Sequence, residues 1–103
     1  MAASLTEKEF SKHINTRFQL DLDEQTGFEL ELVEVKGYDA AATDQTGMER
    51  FSAYFRGPSE HYLAQRAYSL KHDGMGEFDI FLVPIARDEQ WVRYEAVFNY
   101  VKE

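Results

Sequence analysis

Three histidines, His13, His61 and His72, are the side chains best suited to proton chemistry near neutral pH. If the 59–66 segment folds back over the turn at Asp73, His61 and His72 meet beside a carboxylate. Two imidazoles and a carboxylate can hold a transition metal or act as acid and base. No His-Glu-x-x-His pairing sets that geometry locally, so a hydrogen-bonded surface histidine at a strand end is the competing reading. Carboxylates are the second group. Asp21, Asp23, Glu24, Glu29 and Glu31 fall on or near one face of a hairpin, where like charges opposed across strands repel. Calcium would relieve that repulsion, with Asp21, Asp23 and Glu29 as its candidate ligands. The run Asp21-x-Asp23-x-Gln25 resembles the opening of an EF-hand loop, but Thr26 stands where glycine is needed and Leu32 where the bidentate glutamate belongs. A solvated edge that discourages strand-to-strand aggregation explains the same acids without a metal, and no cofactor is expected.

Nucleophilic catalysis has less support. Ser4, Ser11, Ser52, Ser59 and Ser69 all lie outside any Gly-x-Ser-x-Gly elbow. Gly74-Met75-Gly76 is too short for a phosphate cradle and leads into a strand rather than a helix. The aromatics Tyr38, Tyr54, Tyr62, Tyr68, Trp91, Tyr94 and Tyr100 could line a ligand face, although such residues more often serve core or rim. Trp91, beside a polar turn, is the strongest contact candidate, and Tyr62, His61 and His72 complete the expected binding set.

The elements that must position these groups follow from size and pattern. At 103 residues the chain is read as one domain, residues 1–103, able to bury about two-thirds of its unfolded surface. Eight phenylalanines, six tyrosines and one tryptophan supply bulky core material. A formal charge of -8 argues against nucleic acid and against anionic membranes, and fits a basic partner or a cation. The absence of cysteine excludes disulfides and thiolate chemistry. The opening Met1-Ala-Ala-Ser-Leu-Thr lacks the apolar core of a signal peptide and no run reaches membrane-span length, so a cytoplasmic location is expected.

Thr6 and Glu9 have the spacing of a capping box and Leu5 with Phe10 that of a hydrophobic staple, predicting a helix over residues 6–15. Phe10 and Ile14 share one face of it, so the helix reads as a lid on one end of a sheet. Residues 17–22 alternate, with Phe18, Leu20 and Leu22 inward, and Phe28, Leu30 and Leu32 resume after a turn. The parity then flips at Val33 and Val35, which predicts a bulge or a strand passing between sheets. Residues 36–49 read as a long loop, 50–56 as a strand, 59–66 as a short helical turn or irregular crossing, and 67–72 as a strand. The run 76–86 is apolar on one side in its first half and on both sides in its second, as in a central strand packed on both faces. Val92, Tyr94, Ala96, Phe98 and Tyr100 alternate along a last strand. Together these predict a mainly β fold of about six antiparallel strands, a small barrel or a sandwich, with the short helix packed on one end.

The segments Phe51-Ser-Ala-Tyr-Phe-Arg-Gly-Pro58, Leu63-Ala-Gln-Arg-Ala-Tyr-Ser-Leu-Lys-His72, Gly76-Glu-Phe-Asp-Ile-Phe-Leu-Val-Pro-Ile85 and Tyr94-Glu-Ala-Val-Phe-Asn99 carry a family pattern. It resembles that of small bacterial proteins catalogued as a domain of unknown function, DUF6916-like. The resemblance covers most of the chain, carries no catalytic residues, and implies an accessory or assembly role beside phage-tail-like collar or fibre proteins. A non-enzymatic module with a protein partner or a second copy of itself is therefore the leading expectation. A small-ligand-binding barrel or hydrolase with a site near His61 and His72 is the alternative.

Overall fold

Successive side chains on a strand point to opposite faces, and six strands use that alternation to enclose one interior. A computed structural model describes residues 6–22, 27–37 and 48–101. Helix α1 (Glu7–Ser11) precedes β1 (Arg17–Asp21), β2 (Gly27–Gly37), β3 (Met48–Pro58), β4 (Arg66–His72), β5 (Gly76–Arg87) and β6 (Trp91–Val101). All neighbours are antiparallel and the order β1-β2-β3-β6-β5-β4 closes on itself. The fold is therefore a small β-barrel, which decides between the two expected architectures. Chain direction defines two ends. The crossing from β3 to β4 and the β5–β6 turn lie at the upper end, and α1 and the β4–β5 turn lie at the lower.

The inward residues come from every strand. Phe18 and Leu20, Leu30 and Leu32, Phe51 and Phe55, Leu70, Leu82, and Val92 and Tyr94 are all completely buried. The parity flip in β2 is a bulge: Leu32 faces Phe55 while Glu34, two residues on, faces the adjacent Tyr54. The ladder between β5 and β6 slips in the same way at Ile85. At Gly57 a Cβ would lie 2.6 Å from Leu30 Cδ2, so only glycine lets β3 approach that side chain.

Four expectations are corrected. The strand 76–86 is not packed on both faces, since Phe81 is 50% and Ile85 45% exposed. A closed barrel has one interior and no second layer, so the odd-numbered face of β5 looks outward. Leu22 lies beyond the end of β1 and is exposed rather than inward. The helix stops at Ser11, and residues 12–15 form turns that end at Asn15 with φ 72. There the main chain leaves α1 to pair with β2: Asn15 N–H donates to the Leu32 carbonyl and Leu32 N–H to that of Thr16. Of the expected 36–49 loop, Lys36, Gly37, Met48 and Glu49 belong to strands, and residues 38–47 lie outside the described residues, as does Leu5 of the staple. The Thr6 cap forms as expected, its side chain accepting from Glu9 N–H at 3.0 Å.

α1 is short but decisive. The β5–β6 ladder holds only between Val83–Arg87 and Val92–Glu95; below it β5 pairs with β4 and β6 with β3. Phe10 enters at that end, its ring centroid 5.2 Å from Phe98, 5.9 Å from Phe51 and from Phe78, 6.3 Å from Phe18 and 6.4 Å from Phe55. One helical side chain thus touches rings from β1, β3, β5 and β6. Replacing Phe10 with alanine is expected to lower the unfolding free energy by about 3–5 kcal/mol, read from urea denaturation. A loss below about 1 kcal/mol would show that the barrel closes without this ring.

Candidate functional site

The lower end gathers two of the three histidines, His13 and His72. His72 ends β4 with the same parity as Leu70, so its ring turns inward, 4.2 Å from the Phe18 ring and 4.6 Å from that of His13. Gly74 N–H donates to His72 Nδ1 at 2.9 Å. Nδ1 must then carry a lone pair, which places the proton of the neutral ring on Nε2. Nε2–H donates to Thr16 Oγ1 at 2.9 Å, and the Thr16 hydroxyl donates to the His13 carbonyl at 2.6 Å. Both nitrogens of His72 are consumed inside the fold. The tautomer follows from this network. Burial depresses the His72 pKa below the usual histidine value, the neighbouring His13 depresses it further, and Asp73 opposes both.

An open groove of about 460 Å³ adjoins this network, lined by Arg17, Gln19, Glu29, Lys71, Asp73 and Glu77 besides His72 and Gly76. Its charges are largely spent on one another. Arg17 lies 3.4 Å from Glu29, and Lys71 lies 3.4 Å from Asp21 and 3.7 Å from Glu77. Asp21 accepts a hydrogen bond from Gln19, which holds its carboxyl below the usual range; desolvation opposes this and Lys71 assists it. On the other flank of β2, Arg56 of β3 donates twice to Glu31, at 2.8 and 3.0 Å. The acidic hairpin is thus laced by cations from neighbouring strands, and among the described residues no three His, Asp or Glu side chains converge to hold a metal ion. Asp23 and Glu24 lie outside the described residues.

The structure does not bring His61 and His72 together. His61 belongs to the upper crossing and stacks on Phe28, centroids 5.0 Å apart and planes 13° apart. Phe28 faces Leu20 at the upper end of β1, whereas His72 closes β4 at the lower end beside Gly76. The crossing stoppers the upper mouth instead. Leu63 is buried, and its N–H donates to the hydroxyl of buried Tyr94 at 2.9 Å. The Tyr68 hydroxyl donates to the Ala64 carbonyl at 2.6 Å. Burial raises the Tyr94 pKa, the Leu63 N–H counteracts it, and Tyr68 and Tyr62 add smaller upward pushes. Tyr94 is a structural acceptor, not an acid poised for catalysis.

Sequence reasoning missed a set of stacked arginines. Among the described residues, Arg56 lies 4.5 Å over Trp91, Arg93 4.7 Å over Tyr54, Arg66 4.8 Å over Tyr68 and Arg87 5.2 Å over Tyr62. Trp91 is 40% and Tyr62 51% exposed, so both contact candidates reach the surface beneath a guanidinium. The pair Arg56 and Trp91 meets because Pro58 faces Trp91 across β3 and β6, a register that spacing alone does not reveal.

Two outcomes test this assignment of structural roles. Because the folded pKa of His72 lies below its unfolded value of about 6.5, its contribution to stability is complete above that pH and declines as pH falls toward the folded pKa. Wild type minus His72→Gln in thermal denaturation should therefore shrink between about pH 7 and pH 5, and a pH-independent difference would contradict the network. Tyr94→Phe leaves the Leu63 N–H buried without its acceptor, so a loss of about 1–3 kcal/mol is expected, with faster hydrogen exchange at Leu63. Unchanged exchange there would show that water or another group replaces the hydroxyl.

No helix among the described residues is long and apolar enough to cross a membrane. Comparison with curated proteins and with solved structures returns no match. A family model described as a domain of unknown function (DUF6916) matches residues 5–98, the whole of the barrel apart from its last few residues. The chain belongs to that DUF6916 family.

Proposed function

We propose that this protein is a non-enzymatic binding or assembly module that works through the outside of its barrel. The observation that carries the reading is a contrast between inside and outside. The interior is filled, Phe10 closing one end and Leu63 the other, while Phe81, Ile85 and Val97 stand 50%, 45% and 58% exposed on the outer wall of β5 and β6. Phe81 and Ile85 belong to β5 and Val97 to the neighbouring strand β6, all with side chains facing outward. Several exposed large apolar side chains on two neighbouring strands mark contact sites more often than a single one does.

A ligand-binding or hydrolytic barrel draws less support, because its proposed histidines sit at opposite ends and His72 has both nitrogens engaged. The charge of -8 opposes stacking two copies wall to wall and favours a different protein as partner. An accessory role beside phage-tail-like collar or fibre proteins, implied by the resemblance in sequence, needs a surface of this kind and no catalytic centre.

Phe81→Glu combined with Val97→Glu should leave the melting temperature within a few degrees of wild type, since both side chains face solvent. Light scattering after size exclusion, and capture from the native host, then test the wall. An assembly or captured partner present with wild type and lost with the double variant is expected. A strictly monomeric wild type that captures nothing, or a complex indifferent to both substitutions, would sink the reading.

A further inference from the structure

We infer that the upper end of this wall carries a groove for a short acidic segment of a partner protein, one joining a carboxylate to an apolar side chain. The inference rests on the binding-module reading and names the chemistry of the partner. β4 begins at Arg66, opposite Leu82, so Val83–Arg87 of β5 extend past it with a strand neighbour on the β6 side only. The crossing runs over that open flank without forming a strand and leaves a groove of about 330 Å³ lined by Tyr62, Pro84, Ile85, Ala86 and Arg87. Its lining joins the apolar Pro84, Ile85 and Ala86 to the polar Tyr62 and Arg87, and its size suits one or two side chains. It continues the outward row Phe81, Val83 and Ile85 on β5.

Charge identifies the occupant. Arg17, Arg56 and Arg93 each meet a glutamate. Arg87, in the lining of the groove, has no carboxylate partner among the described residues, in a protein that carries eight more negative charges than positive. Arg87 lies over Tyr62, where stacking holds the guanidinium and leaves edge donors for a carboxylate. Arg87 spends one donor on the Ser59 carbonyl, at 3.2 Å. The overall negative charge acts weakly beyond the screening length of about 8 Å at physiological salt, so the local cation, Arg87, sets the preference for a carboxylate. A polyanion such as nucleic acid would meet the rest of the acidic surface and is disfavoured. Pro84 has no N–H to offer on this flank, so recognition runs through side chains rather than through addition of a strand.

The test is an amide-shift titration of the full-length labelled protein with a capped hexapeptide of alternating Asp and Leu. Its Asn–Leu and Lys–Leu counterparts and an oligothymidylate serve as comparison probes. Shifts at Tyr62, Ile85, Ala86 and Arg87 are expected with the Asp peptide, weakening at high salt. Arg87→Gln should weaken it about threefold, and Arg87→Lys, which keeps the charge, should weaken it less. Equal response to the Asp and Asn peptides, or stronger response to the oligothymidylate, would overturn the inference. If all three peptides shift Phe81 and Val97 but not the groove, the apolar wall stands and the acidic-segment inference fails. Silence at every residue with every probe would count against both.

Discussion

The barrel depends on one aromatic ring delivered from outside the sheet. Six strands of unequal length cannot pair along their whole extent, and here the β5–β6 ladder is confined to the upper half. The lower space is occupied by Phe10, which meets Phe18, Phe51, Phe55, Phe78 and Phe98 from four different strands. A five-residue helix has little stability of its own, so the dependence runs both ways. The helix persists because its one buried side chain is docked, and the lower half of the barrel is closed because that side chain is there.

The same economy governs the polar groups. At the lower end His72 gathers Gly74 of the β4–β5 turn, Thr16 at the start of β1 and, through Thr16, the His13 carbonyl, tying three separate segments with one neutral ring. At the upper end the Tyr94 hydroxyl plays the matching part for the irregular crossing, through Leu63. Each is a titratable residue used as a fixed hydrogen-bonding post inside a packed environment. Groups held in this way are poor candidates for catalysis, because turnover would require them to release the bonds that hold the fold. This is the physical reason why function is sought on the outer wall.

That wall divides by chemistry. Around β1, β2 and β4 it is a lattice of opposed charges, whose exposed pairs contribute little to stability but keep carboxylates from repelling one another across the strands. Around the upper parts of β3, β5 and β6, arginines lie on aromatic rings and apolar side chains face outward. A closed barrel exposes few strand edges, so specificity must come from what its outer side chains present.

Much of the architecture was legible in the sequence because it is written in short-range periodicity. Alternation in residues 17–21, 28–32, 51–55 and 92–96 located inward faces correctly, the parity flip at Val33 announced a bulge, and Thr6 announced the helix start. Closure was not legible. Alternation states which residues share a face but not whether the other face meets a second layer, so Phe81 and Ile85 read as buried until the barrel turned them outward. The separation of His61 from His72 and the pairing of Arg56 with Trp91 were hidden for the same reason, since they follow from which strands are neighbours and in what register. Local spacing determined the strands, their inward faces and the cap on α1. Only the tertiary structure decided which side chains meet, because those contacts join residues far apart in the chain through the register of the closed sheet.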